Sequence, residues 1–206
     1  MATFQERVED YIGTIDDTTG VDQFLKDSIQ DVVRNMSPDL CAKYAQRSLL
    51  TSSSGFGVRG KRVLSVARRF EGQQITAREI SPGEAWKATD EHGLHKATNR
   101  SPVFWIQVTA ADTRLFVKPD PASGAEADIA FVQFPSPDAD TDTSAVGLPV
   151  VAEDAVVLST AMKVLTRRIS DHIGEEDREM AAATEAQLAR VASLYQAQTE
   201  SLREAQ

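Results

Sequence analysis

Apolar residues along the first 48 positions recur at helical spacing. Phe4, Val8, Tyr11 and Ile12 fall at i, i+4, i+7 and i+8, one face of a helix. Gly13 and the Asp-Asp-Thr-Thr-Gly stretch ending at Gly20 stop it. Phe24, Leu25, Ile29, Val32, Val33 and Met36 keep the 3.6-residue period from Val21 onward. Ser37-Pro38-Asp39 breaks that period, with Pro38 placed as the first residue of a third, short helix that holds Leu40, Cys41 and Tyr44. From Ser48 the pattern shortens. Five β-rich runs follow, at residues 62–70, 74–80, 103–108, 114–117 and 128–134, with turn residues between them. Gly83 to Thr89 reads as a helical turn in the longest gap. After a Ser-, Asp-, Thr- and Pro-rich stretch at 136–149, Val151 to Ile169 sets Val151, Ala155, Leu158, Met162, Leu165 and Ile169 on one helical face. Gly174 fits its end, and Glu175-Glu176-Asp177 opens a second long helix.

These periods predict a mainly α fold. The expected arrangement is a helical bundle with a long C-terminal αα-hairpin and an inserted small antiparallel β domain, α+β overall. Residues 1–48 and 149–206 form the bundle, and residues 49–148 the β-rich insert with its acidic loop. Past Gln196 the apolar signal thins, so the tail is expected to be ordered only by a partner.

Charge sharpens this division. The chain has 206 residues and net charge −9, which argues against a general nucleic-acid binder. Residues 1–48 carry −4, residues 49–119 carry +5 and residues 120–206 carry −10. The basic residues Arg59, Lys61, Arg62, Arg68 and Arg69 are the most uneven feature, read either as a solvated strand surface or as a contact to an acidic partner or subunit face or to phosphate backbone. Head-to-tail ring assembly suits such asymmetry. No apolar run has the length of a membrane span, the N-terminus has no apolar core of a secretory signal, and Cys41 alone makes no internal disulfide.

Motifs for chemistry are weak. Gly55-Phe56-Gly57-Val58-Arg59-Gly60-Lys61 matches G-x-G-x-x-G, but a strand rather than a helix is expected after it, and Arg62 stands where a magnesium-binding hydroxyl would be. It reads as a flexible basic loop. His92 and His95 lack two further ligands at zinc spacing. Asp138, Asp140 and Asp142 resemble the start of an EF-hand, yet Thr143 replaces its glycine and Pro149 its glutamate, so a solvated acidic loop is expected. The carboxylate pairs Asp16-Asp17 and Glu175-Glu176 sit at helix boundaries, where capping explains them. No catalytic constellation, metal site or cofactor site is expected, and the chain does not read as an enzyme.

The ordered set of segments resembles tailed-bacteriophage head–tail adaptor (connector or neck) proteins. Leu148-Pro149-Val150-Val151-Ala152-Glu153-Asp154-Ala155 and the Ala-rich helix after it resemble a recurring element of that family. Ser101-Pro102-Val103-Phe104-Trp105 and Leu115-Phe116-Val117-Lys118-Pro119-Asp120-Pro121 resemble its β insert, and Val21 to Leu40 its early helix. The long acidic loop at 136–149 departs from the pattern. The resemblance implies a virion protein of the neck, assembled in the host cytoplasm as a homo-oligomeric ring, commonly of twelve copies. Its partners would be the portal protein and a downstream neck or tail protein, with genomic DNA passing through unbound and no membrane contact. Leu188, Val191, Leu194, Tyr195 and Leu202 on the last helix would then be the portal-docking residues. The acidic helices would discourage the channel from gripping DNA. The competing readings are another neck or tail-completion component, a non-viral helical interaction module, and an enzyme whose site forms only across subunits.

Overall fold

A computed structural model describes residues 2–15, 20–90, 92–110, 112–145, 147–174 and 176–204. The chain divides into two compact units, one of residues 1–44 and 134–206 and the other of residues 45–133. The pairs Asp16-Asp17 and Glu175-Glu176 fall wholly or partly outside the described residues.

The first unit is helical. Helix α1 (Phe4–Ile12) opens with a capping box, in which Thr3 Oγ1 accepts from the Glu6 amide and Glu6 Oε2 accepts from the Thr3 amide. Helix α2 (Val21–Asn35) follows Gly20, whose φ of 97° suits a residue without a Cβ. Helix α3 (Pro38–Lys43) has Ser37 as its cap, accepting from the Leu40 amide, and Pro38 in its first turn. Helix α5 (Val150–Gly174) is the spine, touching α1, α2 and α6. From Ala155 to Ala161 every residue of α5 is buried, including Ser159 and Thr160, whose hydroxyl donates back to the Val156 carbonyl. Polar links pin its neighbours: Arg7 reaches Glu153 at 3.3 Å and Asp154 at 2.9 Å, and Lys163 reaches Asp31 at 2.9 Å. Arg168 donates to the carbonyls of Ile12 and Thr14, just where α1 leaves its last carbonyls unpaired.

Two expectations fail in this unit. Helix α6 (Arg178–Glu204) stays helical past Gln196 and is ordered by its own chain, with Leu202 fully buried. The Leu202 carbonyl accepts from the Ser37 amide, and Arg203 Nη2 donates to Asn35 Oδ1 at 3.2 Å. The acidic loop is likewise not simply solvated. Ala139, Ala145 and Leu148 are buried, and the carbonyls of Ala139 and Asp142 accept from the Gln5 and Phe4 amides. Those are α1 amides that no intrahelical partner can satisfy. The loop belongs with the helices because it caps one of them.

The second unit is built on strands, with one short helical passage among its described residues. Strands β1 (Gln46–Leu50), β8 (Ala127–Gln133), β3 (Lys61–Phe70) and β4 (Gln73–Thr76) form one antiparallel sheet in that order. Strands β2 (Phe56–Gly57), β7 (Thr113–Lys118), β6 (Val103–Val108) and β5 (Arg78–Glu79) form a second. In that second sheet β5 runs parallel to β6. A shared core of Leu50, Val66, Ile129, Phe131, Phe104 and Leu115 draws on both sheets. A 3₁₀ turn at Pro82–Glu84 leads into helix α4 (Ala85–Thr89).

The mainly α expectation is therefore overturned. Helix holds 46% and strand 24% of the described residues, and two four-stranded sheets make this an α+β protein rather than a bundle with a small insert. Three strands account for the error. Gln46–Leu50 has no clean alternation, so it read as the end of the helical region, although β8 pairs with all of it. Phe56–Gly57 lay in the supposed glycine loop. The run 74–80 is two strands, because the chain crosses between sheets at buried Ala77, whose amide donates to the Val66 carbonyl.

Replacing Leu202 by Ala is expected to cost roughly 2–5 kcal/mol in urea denaturation of the full chain, the usual range for a buried leucine. A loss below about 0.5 kcal/mol, the level of a surface substitution, would mean that the end of α6 is not packed.

Candidate functional site

The basic residues singled out in the sequence do not form one patch. Arg59 is exposed in the β2–β3 turn. Lys61 is half-buried, with Nζ donating to the Gly57 carbonyl at 2.8 Å and lying 5.0 Å from the Phe56 ring and 5.6 Å from the Phe131 ring. It caps an aromatic pair whose centroids are 5.3 Å apart. Arg62 is half-buried on β3. Arg68 lies near the other end of β3, about 20 Å away at strand rise.

Strand alternation then separates Arg68 from Arg69. Arg68 shares the core-facing side of β3 with Val66 and is only 2% exposed. Its Nη2 donates to the Asp120 carbonyl at 2.8 Å, while Nε and Nη1 are buried without a hydrogen-bond partner. Burial pulls the guanidinium below the usual arginine value, and the charges of Asp120 and Glu126 oppose that shift. Arg69 faces outward, with Nη2 3.3 Å from Asp128 Oδ2. Asp128 also accepts from Gln74 at 3.1 Å and lies 3.7 Å from Arg47. Of the five, Arg68 is a structural clamp on the chain after β7, Lys61 and Arg69 are engaged within the sheets, and Arg59 is open to solvent.

The residues assigned to portal docking also divide. Val191 and Leu202 are buried in the helical unit and cannot meet a partner without unfolding it. Leu188 and Tyr195 are half-buried, and Leu194 is exposed. Burial raises the Tyr195 pKa, Asp31 adds to that shift, and a hydrogen bond with Ser159 opposes it. The tyrosine hydroxyl therefore stays neutral against α5.

The glycine stretch folds as strand, turn and strand. Gly55 has φ of 78°, and a Cβ there would come within 2.9 Å of the Phe116 ring. These glycines serve a tight turn and a close approach. No group of three metal-ligating side chains occurs among the described residues.

A different site emerges in the second unit, where sequence reasoning placed only a turn. A cavity of about 130 Å³ opens between β5, α4 and the 92–100 stretch. Its floor is apolar, made by Ile80, Ala88 and Val103, which also form a small hydrophobic cluster with Ala97. Its rim carries Arg78, Lys87 and His95, with Glu84 beside Lys87 at 3.3 Å. That hydrogen bond and charge hold the Glu84 carboxyl below the usual carboxylate range. Trp86 and Leu94 adjoin the rim residues in sequence and are 63% and fully exposed. Lys87 Nζ sits 5.9 Å from the Trp86 ring. The space suits a group of about four water volumes. An apolar floor under a rim of Arg78, Lys87, His95 and Glu84, formally +1 with histidine neutral, fits a carboxylate on an aliphatic stem. The histidines, weighed earlier as metal ligands, part here: His95 lines the cavity, while the His92 amide donates to Asp90 Oδ1. The usable sequence signal was two large apolar residues, Trp86 and Leu94, in an otherwise polar stretch.

No protein-family model and no curated protein matches this chain.

Changing Arg68 to Ala is expected to lower stability by about 2 kcal/mol, since it opens a cavity and removes a charge-assisted bond to Asp120. Arg68→Met keeps the volume without the unsatisfied donors and should recover more than half of that loss. Equal losses for Ala and Met in thermal and urea unfolding would show that the charge, rather than the packing, stabilises the site.

Proposed function

We propose that the protein is a structural adaptor of a tailed phage, a homo-oligomeric ring that joins the portal to the neck or tail and continues the DNA channel. The observation that carries this reading is the ordered set of adaptor-like segments, each lying on the kind of element the resemblance calls for. Val21 to Leu40 spans α2 and the start of α3, and Leu148 to Leu165 opens α5. Ser101 to Ile106 leads into β6, and Leu115 to Pro121 is the end of β7 and its turn. The role is one of geometry rather than catalysis.

Charge supports the same reading. With the unit boundaries in place, the helical unit carries −12 and residues 45–133 carry +3. A ring that turns the helical unit inward would present DNA with carboxylates, which make no phosphate contacts and release no counterions. The exposed part of α6, with Leu194 and the half-buried Leu188 and Tyr195, is the surface proposed for the portal.

Sedimentation of the purified chain with a portal ring tests this directly. The expected result is co-sedimentation in a fixed ring stoichiometry, with no retention of double-stranded DNA at about 0.15 M salt. A chain that stays monomeric with and without portal, or that binds DNA tightly, would overturn the adaptor reading.

A further inference from the structure

We propose that the cationic cavity of the sheet unit is a socket for the tip of the α5–α6 hairpin of a second copy of this chain. The socket has two parts. Its lining of Arg78, Lys87, His95 and Glu84 over an apolar floor carries a formal charge of +1 with histidine neutral, even with Lys87 paired to Glu84 at 3.3 Å, and so favours a carboxylate with an aliphatic stem. Trp86 and Leu94 beside it offer large apolar surface to a partner, and tryptophan is the residue most enriched among binding hot spots.

The hairpin tip carries the matching chemistry. Ile173 and Met180 are large apolar side chains that are 63% and 49% exposed. Between and beside them lie exposed Glu176 and Glu179. Asp177 is already committed, since its Oδ1 accepts from the Met180 amide as the cap of α6. The tip thus shows two exposed glutamates, with Arg178 between them, bracketed by two apolar residues, and the socket shows Arg78 and Lys87 over an apolar floor, with Trp86 and Leu94 next to its lining residues in sequence. Net charge agrees in sign, −12 for the helical unit against +3 for the sheet unit. A tip-to-socket contact joins different surfaces of two copies, so it is head-to-tail and repeats around a ring. The inference rests on the adaptor reading only in requiring neighbouring copies.

Thiol capture tests the socket independently of the portal. Cys41 is the one cysteine and is buried, so a single introduced thiol is the accessible one. With oxidised glutathione supplied as the oxidant, Leu94→Cys mixed with Met180→Cys should form a disulfide-linked heterodimer at least about tenfold faster than a control pair of Val108→Cys with Met180→Cys. Val108 is exposed but lies at the far end of β6 from Val103. Adding Lys87→Glu to the first variant should slow capture, and adding Glu179→Lys to the second should restore it. Capture no faster than the control, or indifferent to the charge reversal, overturns the socket. If the wild-type chain still forms rings on the portal in that case, only the interface falls. If capture succeeds while the portal is ignored, the interface stands and the adaptor reading falls.

Discussion

Burial of α5 on all sides is the interaction on which the helical unit depends. Its residues from Ala155 to Ala161 leave no exposed face, even at Ser159 and Thr160, and α1, α2 and α6 cover it. Two of those three helices precede it by more than a hundred residues, and the chain builds an entire second unit in between. The helical unit is therefore assembled from both ends of the described chain. Its stability rests on long-range packing rather than on any one helix, consistent with the modest intrinsic stability of isolated helices. The polar contacts follow that packing. Arg7, Lys163 and Arg168 tie the covering helices to the spine at positions where apolar burial has already brought them close.

The sheet unit solves a different problem. It closes two sheets over one core, and its chain changes sheet at Ala77, where a small buried residue lets the strands turn without a loop. That crossing sends β5 alongside β6 and leaves α4 and the 92–100 stretch on the outer side of β5. The cavity with Arg78, Lys87 and His95 is a by-product of the same crossing. Arg78 and Lys87 remain exposed or half-buried at its edge. Arg68 shows the opposite outcome. It is drawn into the core by alternation, and its charge is balanced only by a carbonyl and by the nearby Asp120 and Glu126.

Helices of strong period were legible from residues alone: Val8, Leu25, Ile29, Val32, Ala155 and Leu165 all lie where the 3.6-residue repeat put them. So were the strands with a run of β-branched or aromatic residues, such as Val103–Val108 and Ala127–Gln133. Gln46–Leu50 was not, because its place in the sheet comes from pairing with β8 rather than from its own pattern. The site was the least legible part. A run of basic residues in sequence looked like a patch, yet the strand period of two turned Arg68 inward and Arg69 outward. The residues that do converge, Arg78, Lys87 and His95, are scattered over nearly twenty positions and share no spacing.

By itself the sequence determined the kind of chain this is: acidic, with one cysteine, helical at both ends and β-rich between. Those properties follow from composition and from local period, which neighbours in sequence set. Only the tertiary structure decided that the middle is a two-sheet unit, that α6 is held to its end through Leu202, and which cations are spent inside. Each of those depends on contacts between residues far apart in the chain, and burial, unlike period, is a property of the whole fold.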